Sequence, residues 1–165
     1  MTKTMTEIGQ DSQAPDLHVM TIIMFTMTDA NEITISCEVF NCHGVKQSID
    51  YVNHRLKNCD ILCLNETWLR PYECNSLKSM ISNNFATVFA KSSMCDVESG
   101  YSGRPFGGIA VICNKNNQFT ARNIHVHNDR LIVVGLHDPS GALFHVIICV
   151  YMPFYDRSNK SNTSQ

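Results

Sequence analysis

The sequence lacks the features that mark membrane, secreted or zinc-binding proteins. Its most apolar N-terminal segment, Val19 to Phe25, is too short to span a bilayer, and Lys3 is the one basic residue ahead of it. No two cysteines have CxxC spacing, and the histidines show no ligand spacing, which argues against a structural zinc site. The sequence has no internal repeat. These absences favour an intracellular protein that has no membrane partner.

An excess of basic residues is also missing. The chain has 13 Lys and Arg against 15 Asp and Glu, which gives a net charge of −2 and a pI near 6.4. Nucleic-acid-binding domains usually carry a basic excess or a basic stripe, so the overall charge makes no case for such a partner. It leaves room for a local basic groove. No basic run resembles a nuclear localisation signal.

The composition is that of one folded domain. The chain has 165 residues, of which 44% are hydrophobic and 17% are charged, so it does not match a disordered protein. Its eight cysteines are an even number, which raises the possibility of disulfides. However, Cys37, Cys63, Cys113 and Cys149 lie inside apolar runs, where a free cysteine behaves as a small hydrophobic residue. We therefore expect reduced thiols.

Hydrophobic periodicity predicts an α/β domain over residues 31–156. Ile33 to Phe40 alternates between apolar and polar residues, as in a half-buried strand. Val45 to Leu56 carries one apolar stripe at helical spacing. The apolar run that begins at Asp60 and ends at Leu64 predicts a strand buried on both faces. A strand, a helix and a strand in about thirty residues predict a crossover between parallel strands.

The second half of the chain is predicted to be mostly β. A short helix is expected near Leu77 to Ile81, and residues 91–107 form a long loop. The expected strands are Phe85 to Ala90, Ile109 to Cys113, Phe119 to His127, Arg130 to Leu136 and Leu143 to Tyr151. The last four should form an antiparallel meander, with the nearly continuously apolar final strand at its centre. Residues 1–30 are predicted to be a poorly ordered leader in which Val19 to Phe25 could form a strand, and residues 157–165 a polar tail.

One carboxylate, Glu66, follows directly after the most apolar predicted strand. Strand ends and the loops beyond them are where a rigid sheet meets solvent, and functional groups often lie there. Magnesium is usually bound by only one or two protein carboxylates, with phosphate oxygens and water completing its shell. Glu66 is therefore a candidate metal ligand. The alternative is an exposed glutamate that caps the next turn.

Five short motifs occur in a fixed order along the chain. They are Phe40 to Gly44, Asp60 to Leu69, Gly107 to Val111, Asp129 to Val133 and Val150 to Pro153. Together they resemble the first half of an endonuclease/exonuclease/phosphatase domain, and are most similar to the apurinic-type endonuclease of LINE-type (non-LTR) retrotransposons. The resemblance covers about residues 33 to 156.

The resemblance implies a deoxyribonuclease-like α/β sandwich of two sheets that hydrolyses a phosphodiester with Mg²⁺. DNA would be the partner of the complete domain, and a nuclear location fits the family. Asn41 takes the place of an asparagine in the active-site hydrogen-bond network, and the family context favours this role over that of a turn-forming residue. Glu66 takes the place of the magnesium ligand. Tyr151 takes the place of the tyrosine that contacts the scissile phosphate.

The sequence also departs from the family pattern. Relatives carry an Asp-x-Asn pair, a later aspartate and a catalytic histidine after this point, whereas no Asp-x-Asn pair and no histidine follows Tyr151 here. The one Asp-x-Asn here is Asp29-Ala30-Asn31, which precedes the first predicted strand. We therefore expect an N-terminal portion of the domain that is inactive alone. Unpaired strand edges could make it self-associate, and no obligate protein partner is indicated.

Two alternative functions stay open. The chain could belong to a phosphatase or deadenylase branch of the same fold, acting on a phospholipid, a phosphosugar or an RNA tail. It could also be a non-catalytic interaction module. Other polar residues receive structural interpretations: Asp60 is expected to position a turn, and exposed polar faces are expected at His43, His125, His127, Arg104 and Arg130.

Overall fold

The fold is described from a computed structural model of the chain. The residues described are 3–4, 19–26, 35–83, 86–94, 103, 105–114, 119–124, 128 and 130–152. The polar tail, His125, His127, Arg104, Asp29 to Asn31 and most of the predicted leader lie outside this part of the chain.

The described residues form two β-sheets and three short helical segments. In chain order the strands are β1 (Lys3–Thr4), β2 (Val19–Thr26), β3 (Cys37–Asn41), β4 (Ile61–Asn65), β5 (Thr87–Lys91), β6 (Ile109–Cys113), β7 (Thr120–Ile124), β8 (Leu131–His137) and β9 (Leu143–Met152). The helices are α1 (Ile49–Arg55), α2 (Leu77–Met80) and a 3-10 helix at Pro71–Ser76. One sheet has the order β3-β4-β6-β5 and the other β1-β2-β9-β8-β7. The predicted α/β class with two sheets is confirmed.

The four-stranded sheet contains the predicted crossover. Strands β3 and β4 pair in parallel, with Cys37 opposite Ile61 and Asn41 opposite Asn65, and α1 lies between them in the chain. All five residues of β4 are buried, as its apolar run predicts. Helix α1 is shorter than predicted and begins at Ile49, because Val45 instead donates its backbone N–H to Thr67 across the loop.

The expected four-strand meander is wrong in one respect. Strand β6 pairs with β4 and β5 in the four-stranded sheet, and only β7, β8 and β9 form the meander. The reason is that both faces of β6 are apolar and buried. Ile109, Val111 and Cys113 face one core, and Ala110 and Ile112 face the other. Such a strand is stable in the interior of a sheet covered on both sides.

Strand β9 lies at the centre of the five-stranded sheet, as predicted. It pairs with β8 on one side and with all eight residues of β2 on the other. Strand β2 includes Val19 to Phe25, so that stretch is a strand, and the sheet begins earlier in the chain than the predicted domain boundary at residue 31.

Two apolar cores lie on opposite faces of the four-stranded sheet. One contains Ile61 and Cys63 of β4 together with Ile147 and Cys149 of β9, so it fills the space between the sheets. The other contains Leu62 and lies on the helical side. Because side chains alternate along a strand, the positions two residues after Cys63 and Cys149 also face the space between the sheets. These positions come together at one edge of the sandwich.

Seven of the cysteines lie in the described part of the chain, and all seven are free thiols.

Within the described residues, no helix has the length and hydropathy needed to cross a membrane.

Candidate functional site

A strained turn directly follows β4. Glu66 and Trp68 have φ angles of 55° and 52°, in the left-handed region that non-glycine residues rarely adopt. Each such residue costs about 1–3 kcal/mol and persists only where the surrounding structure holds it. The backbone N–H of Gly44 donates to the Glu66 carbonyl at 2.7 Å, and that of Trp68 donates to the Gly107 carbonyl at 2.9 Å. Two neighbouring loops therefore hold the turn in this conformation.

Glycines let both loops approach the turn closely. Gly44 has a φ of 99°, and a Cβ atom there would lie 2.5 Å from Cε3 of Trp68. Gly108 has a φ of 86°, and a Cβ atom there would lie 2.5 Å from Oγ1 of Thr67. Both positions therefore require glycine for its backbone conformation and for its lack of a side chain.

The Glu66 carboxylate is buried and receives two hydrogen bonds. Glu66 is only 6% exposed. Tyr151 Oη donates to Oε1 at 2.5 Å, and Trp68 Nε1 donates to Oε2 at 2.7 Å. The alternative of an exposed glutamate is therefore wrong. A buried carboxylate is stable as an anion when charge-assisted hydrogen bonds replace its lost hydration.

Tyr151 comes from the other sheet. It lies on β9, is 7% exposed, and its backbone N–H donates to the carbonyl of Arg130 at 3.0 Å. Burial, and then the hydrogen bond to Glu66, raise the pKa of the Tyr151 hydroxyl well above its ordinary value. The hydroxyl therefore keeps its proton at neutral pH and can act as a donor.

Two asparagines end the parallel strands beside this turn. Asn41 ends β3 and Asn65 ends β4, and they are register partners. Asn41 follows Cys37 and Val39 on the face that packs against the core between the sheets. It thus lies at the same sheet edge as Glu66. Its Oδ1 accepts a hydrogen bond from the backbone N–H of His43 at 3.3 Å, which is a local turn contact.

Three residues of this site were missed by the sequence reasoning. Asn65 and Thr67 are 3% and 1% exposed, and neither Asn65 Oδ1 nor Thr67 Oγ1 has a hydrogen-bond partner among the described residues. Buried polar atoms without a partner are uncommon and call for an explanation. Trp68 was also missed. Their position beside Glu66 in the sequence is the signal that could have identified all three.

The donor set fits a hard divalent cation. The described residues contain no group of three or more His, Cys, Asp or Glu that could hold a metal ion. Magnesium, however, needs only one or two carboxylates, and it prefers carboxylate and amide oxygens. Glu66 supplies a carboxylate with about four lone-pair sites, so two hydrogen bonds and a cation can share it. Asn65, whose amide oxygen has no hydrogen-bond partner among the residues that the structure describes, precedes Glu66 in the chain.

Two other polar residues behave as the sequence indicated. Asp60 Oδ2 accepts hydrogen bonds from the backbone N–H and the hydroxyl of Ser36, at 2.9 and 2.8 Å, which ties together the starts of β3 and β4. His43 is exposed, and its ring lies edge-on to the Trp68 ring with centroids 6.0 Å apart.

Comparisons with known proteins find likenesses among solved structures. No family model matches this chain, and no curated protein matches it. Among solved structures, the chain is similar to the 3' phosphatase NExo from Neisseria, which was solved bound to a product DNA hairpin. The identity is 16% and the TM-score is 0.42, and the match covers 62% of this chain and 38% of that chain.

Proposed function

We propose that this chain carries one part of a Mg²⁺-dependent phosphodiesterase site of the endonuclease/exonuclease/phosphatase type, acting on DNA. The observation that carries the proposal is the hydrogen bond between Tyr151 and Glu66, which are 85 positions apart in the chain. Two different sequence motifs indicate these residues independently. Their contact at the edge of the sandwich is what a shared site requires.

Glu66 is the residue that would hold the cation. Magnesium held there would supply polarisation of a phosphoryl group and stabilisation of negative charge on the leaving oxygen. Tyr151 and Trp68 orient the carboxylate through one hydrogen bond to each oxygen. Asn41, at the same edge, would orient a bound group through its side-chain amide.

The electrostatics of the site favour binding of a cation first and of a phosphate group afterwards. Among the described contacts, both donors to the Glu66 carboxylate are neutral groups, and a carboxylate attracts a cation and repels a phosphate group. Bound metal would reverse that repulsion. Substrate binding at this edge should therefore depend on the divalent cation.

The finer assignment is to the endonuclease branch found in LINE-type retrotransposons. The five ordered motifs support it. No Asp-x-Asn pair and no histidine follow Tyr151 in this sequence, so we propose that hydrolysis needs groups beyond those of this chain. The coding sequence downstream of this chain tests the assignment to the retrotransposon branch. A reverse transcriptase downstream would support it, and a continuation into a phosphatase domain would contradict it.

The test of the activity is nicking of supercoiled plasmid in Mg²⁺ by the purified chain, its Glu66→Ala variant and an Asp50→Asn control. Asp50 is an exposed carboxylate on α1, so it matches the charge change without touching the site. Circular dichroism establishes that each protein is folded. We expect no nicking by any of them, together with Mn²⁺ binding that calorimetry detects in all but Glu66→Ala.

Two outcomes would overturn parts of this proposal. Nicking that Glu66→Ala abolishes would show that the residues of this chain suffice for hydrolysis. Mn²⁺ binding that persists in Glu66→Ala would remove Glu66 as the metal ligand.

A further inference from the structure

We propose that Trp68 is a positioning residue whose indole N–H fixes the Glu66 carboxylate in the orientation that receives the cation. This inference rests on the proposed function, because it assigns a role around the same carboxylate. It adds a residue that neither the motifs nor the comparisons assign.

The two donors reach Glu66 from different parts of the molecule. Trp68 belongs to the turn itself and donates to Oε2 at 2.7 Å, whereas Tyr151 belongs to the opposite sheet and donates to Oε1 at 2.5 Å. One donor on each oxygen stops the carboxylate from rotating about its terminal bond. Residues that hold a metal-binding carboxylate in this way typically tune its affinity for the metal.

The indole ring is itself held in place on several sides. The backbone N–H of Trp68 donates to Gly107, and the ring lies so close to Gly44 that a Cβ atom there would be 2.5 Å from Cε3. The His43 ring meets it edge-on. The orientation of the N–H is therefore fixed by packing before any cation binds.

The backbone conformation at Trp68 is unusual for a bulky residue. A φ of 52° is costly for a bulky residue, and asparagine or glycine would adopt it more easily. Strain of this kind persists where the surroundings compensate for it, and it clusters at functional sites. Here the strained conformation directs Nε1 at Glu66 Oε2.

A replacement that removes only the indole N–H tests the inference. Trp68 is the one tryptophan in the chain, so growth of a tryptophan auxotroph on an analogue changes this position alone. β-(3-Benzothienyl)-alanine replaces the N–H by sulfur and keeps the ring shape, and 5-fluorotryptophan keeps the N–H as a matched control. Calorimetry with Mn²⁺ measures the affinity of each protein.

We expect the benzothienyl protein to bind Mn²⁺ about 10- to 100-fold more weakly than the native chain. The fluorotryptophan protein should bind as the native chain does. Equal affinities in the two substituted proteins would overturn the role of Trp68. A merely structural role would lower the melting temperature and leave the affinity of the folded protein unchanged.

The native chain provides a second readout that needs no substituted protein. Its single indole N–H gives one cross-peak in a ¹⁵N-correlated NMR spectrum. We expect Mg²⁺ to move that peak saturably, with the same concentration dependence as metal binding. A peak that stays in place while the metal site fills would overturn the inference.

Failure of this inference is distinguishable from failure of the proposed function. A native chain that binds no Mn²⁺, or a Glu66→Gln variant that binds it normally, would refute both the metal site and the role of Trp68. Binding that Glu66→Gln abolishes and the benzothienyl replacement leaves unchanged would refute the role of Trp68 alone.

Discussion

Tyr151 on β9 and Glu66 at the end of β4 are joined by a hydrogen bond of 2.5 Å between their side chains, although 85 positions separate them in the chain. Both residues are more than nine-tenths buried. The contact connects the two sheets at one edge of the sandwich. It also places a carboxylate and a protonated phenol in the same small space, and several expectations follow from that arrangement.

Replacing Tyr151 by phenylalanine should destabilise the fold. The change removes the hydroxyl donor to Oε1 of the buried Glu66 carboxylate. We expect the free energy of unfolding, measured with urea, to fall by about 1.5–3 kcal/mol. Tyr72→Phe is the control, since Tyr72 is 71% exposed and should lose less than about 0.5 kcal/mol. Equal losses in the two variants would contradict the contact.

Alanine at Gly44 should disturb the Glu66 turn, and alanine at Gly141 should not. Both glycines have left-handed φ angles, 99° and 89°, so both variants incur backbone strain. Only Gly44 lies against Trp68; a Cβ atom at Gly141 would meet nothing within 4 Å. We expect Gly44→Ala to lose about 1–3 kcal/mol more stability than Gly141→Ala and to shift the emission of Trp68. Matching losses with no spectral shift would contradict the packing of Trp68 on Gly44.

Stability should decline at alkaline pH in a way that depends on Tyr151. Its pKa is raised in the folded state by burial and by Glu66, whereas the unfolded chain ionises near its ordinary value of about 10. Above pH 10 the folded state therefore binds more protons than the unfolded state. Rising pH then favours unfolding, by up to about 1.4 kcal/mol per pH unit for this group.

The comparison with Tyr151→Phe isolates this effect. Burial also raises the pKa of Cys42, Cys59 and Cys113 to about 12, but both proteins share these thiols. The stability difference between native chain and variant should be constant below pH 10 and shrink above it, as measured by urea unfolding across the range. A difference that stays constant to pH 11 would argue against the raised pKa.

Asp60 should matter to the fold and not to the site. Its carboxylate accepts two hydrogen bonds from Ser36, one from the backbone N–H and one from the hydroxyl. We expect Asp60→Ala to lower the free energy of unfolding by about 1–2 kcal/mol. Ser36→Ala keeps the backbone donor to the Asp60 carboxylate. The Asp60 backbone N–H, which also donates to the Ser36 hydroxyl, retains the Ser36 carbonyl as an acceptor, so this variant should cost less. Urea unfolding measures both, and a larger loss in Ser36→Ala would contradict this account.

Much of the fold followed from periodicity. The apolar run at β4 and the apolar stripe before it predicted the parallel crossover, because both patterns are local. The sheet to which β6 belongs was not predictable in this way. Periodicity shows that a strand is buried on both faces, but it does not name the partners. Strand β2 was uncertain for the same reason, since its partner β9 lies more than a hundred positions away.

The site was only partly readable from the sequence. The sequence indicates Glu66 because it follows an apolar strand and matches a family motif, and Tyr151 because of its place in the last motif; the structure brings the two together. The sequence does not indicate Trp68, because the direction of its N–H depends on a left-handed turn that no local propensity favours. The structure records a turn contact for Asn41, so its role in a hydrogen-bond network remains a proposal.

The most direct test of the central claim is quenching of Trp68 fluorescence by Mn²⁺, a paramagnetic ion that can stand in for magnesium. Trp68 is the one tryptophan, and its Nε1 contacts the Glu66 carboxylate, so its emission reports on this site alone. If Glu66 holds the cation, quenching will saturate in the native chain and in Asp50→Asn, and it will be lost in Glu66→Gln. Saturable quenching that persists in Glu66→Gln, or none in the folded native chain, would show that Glu66 is not a metal ligand.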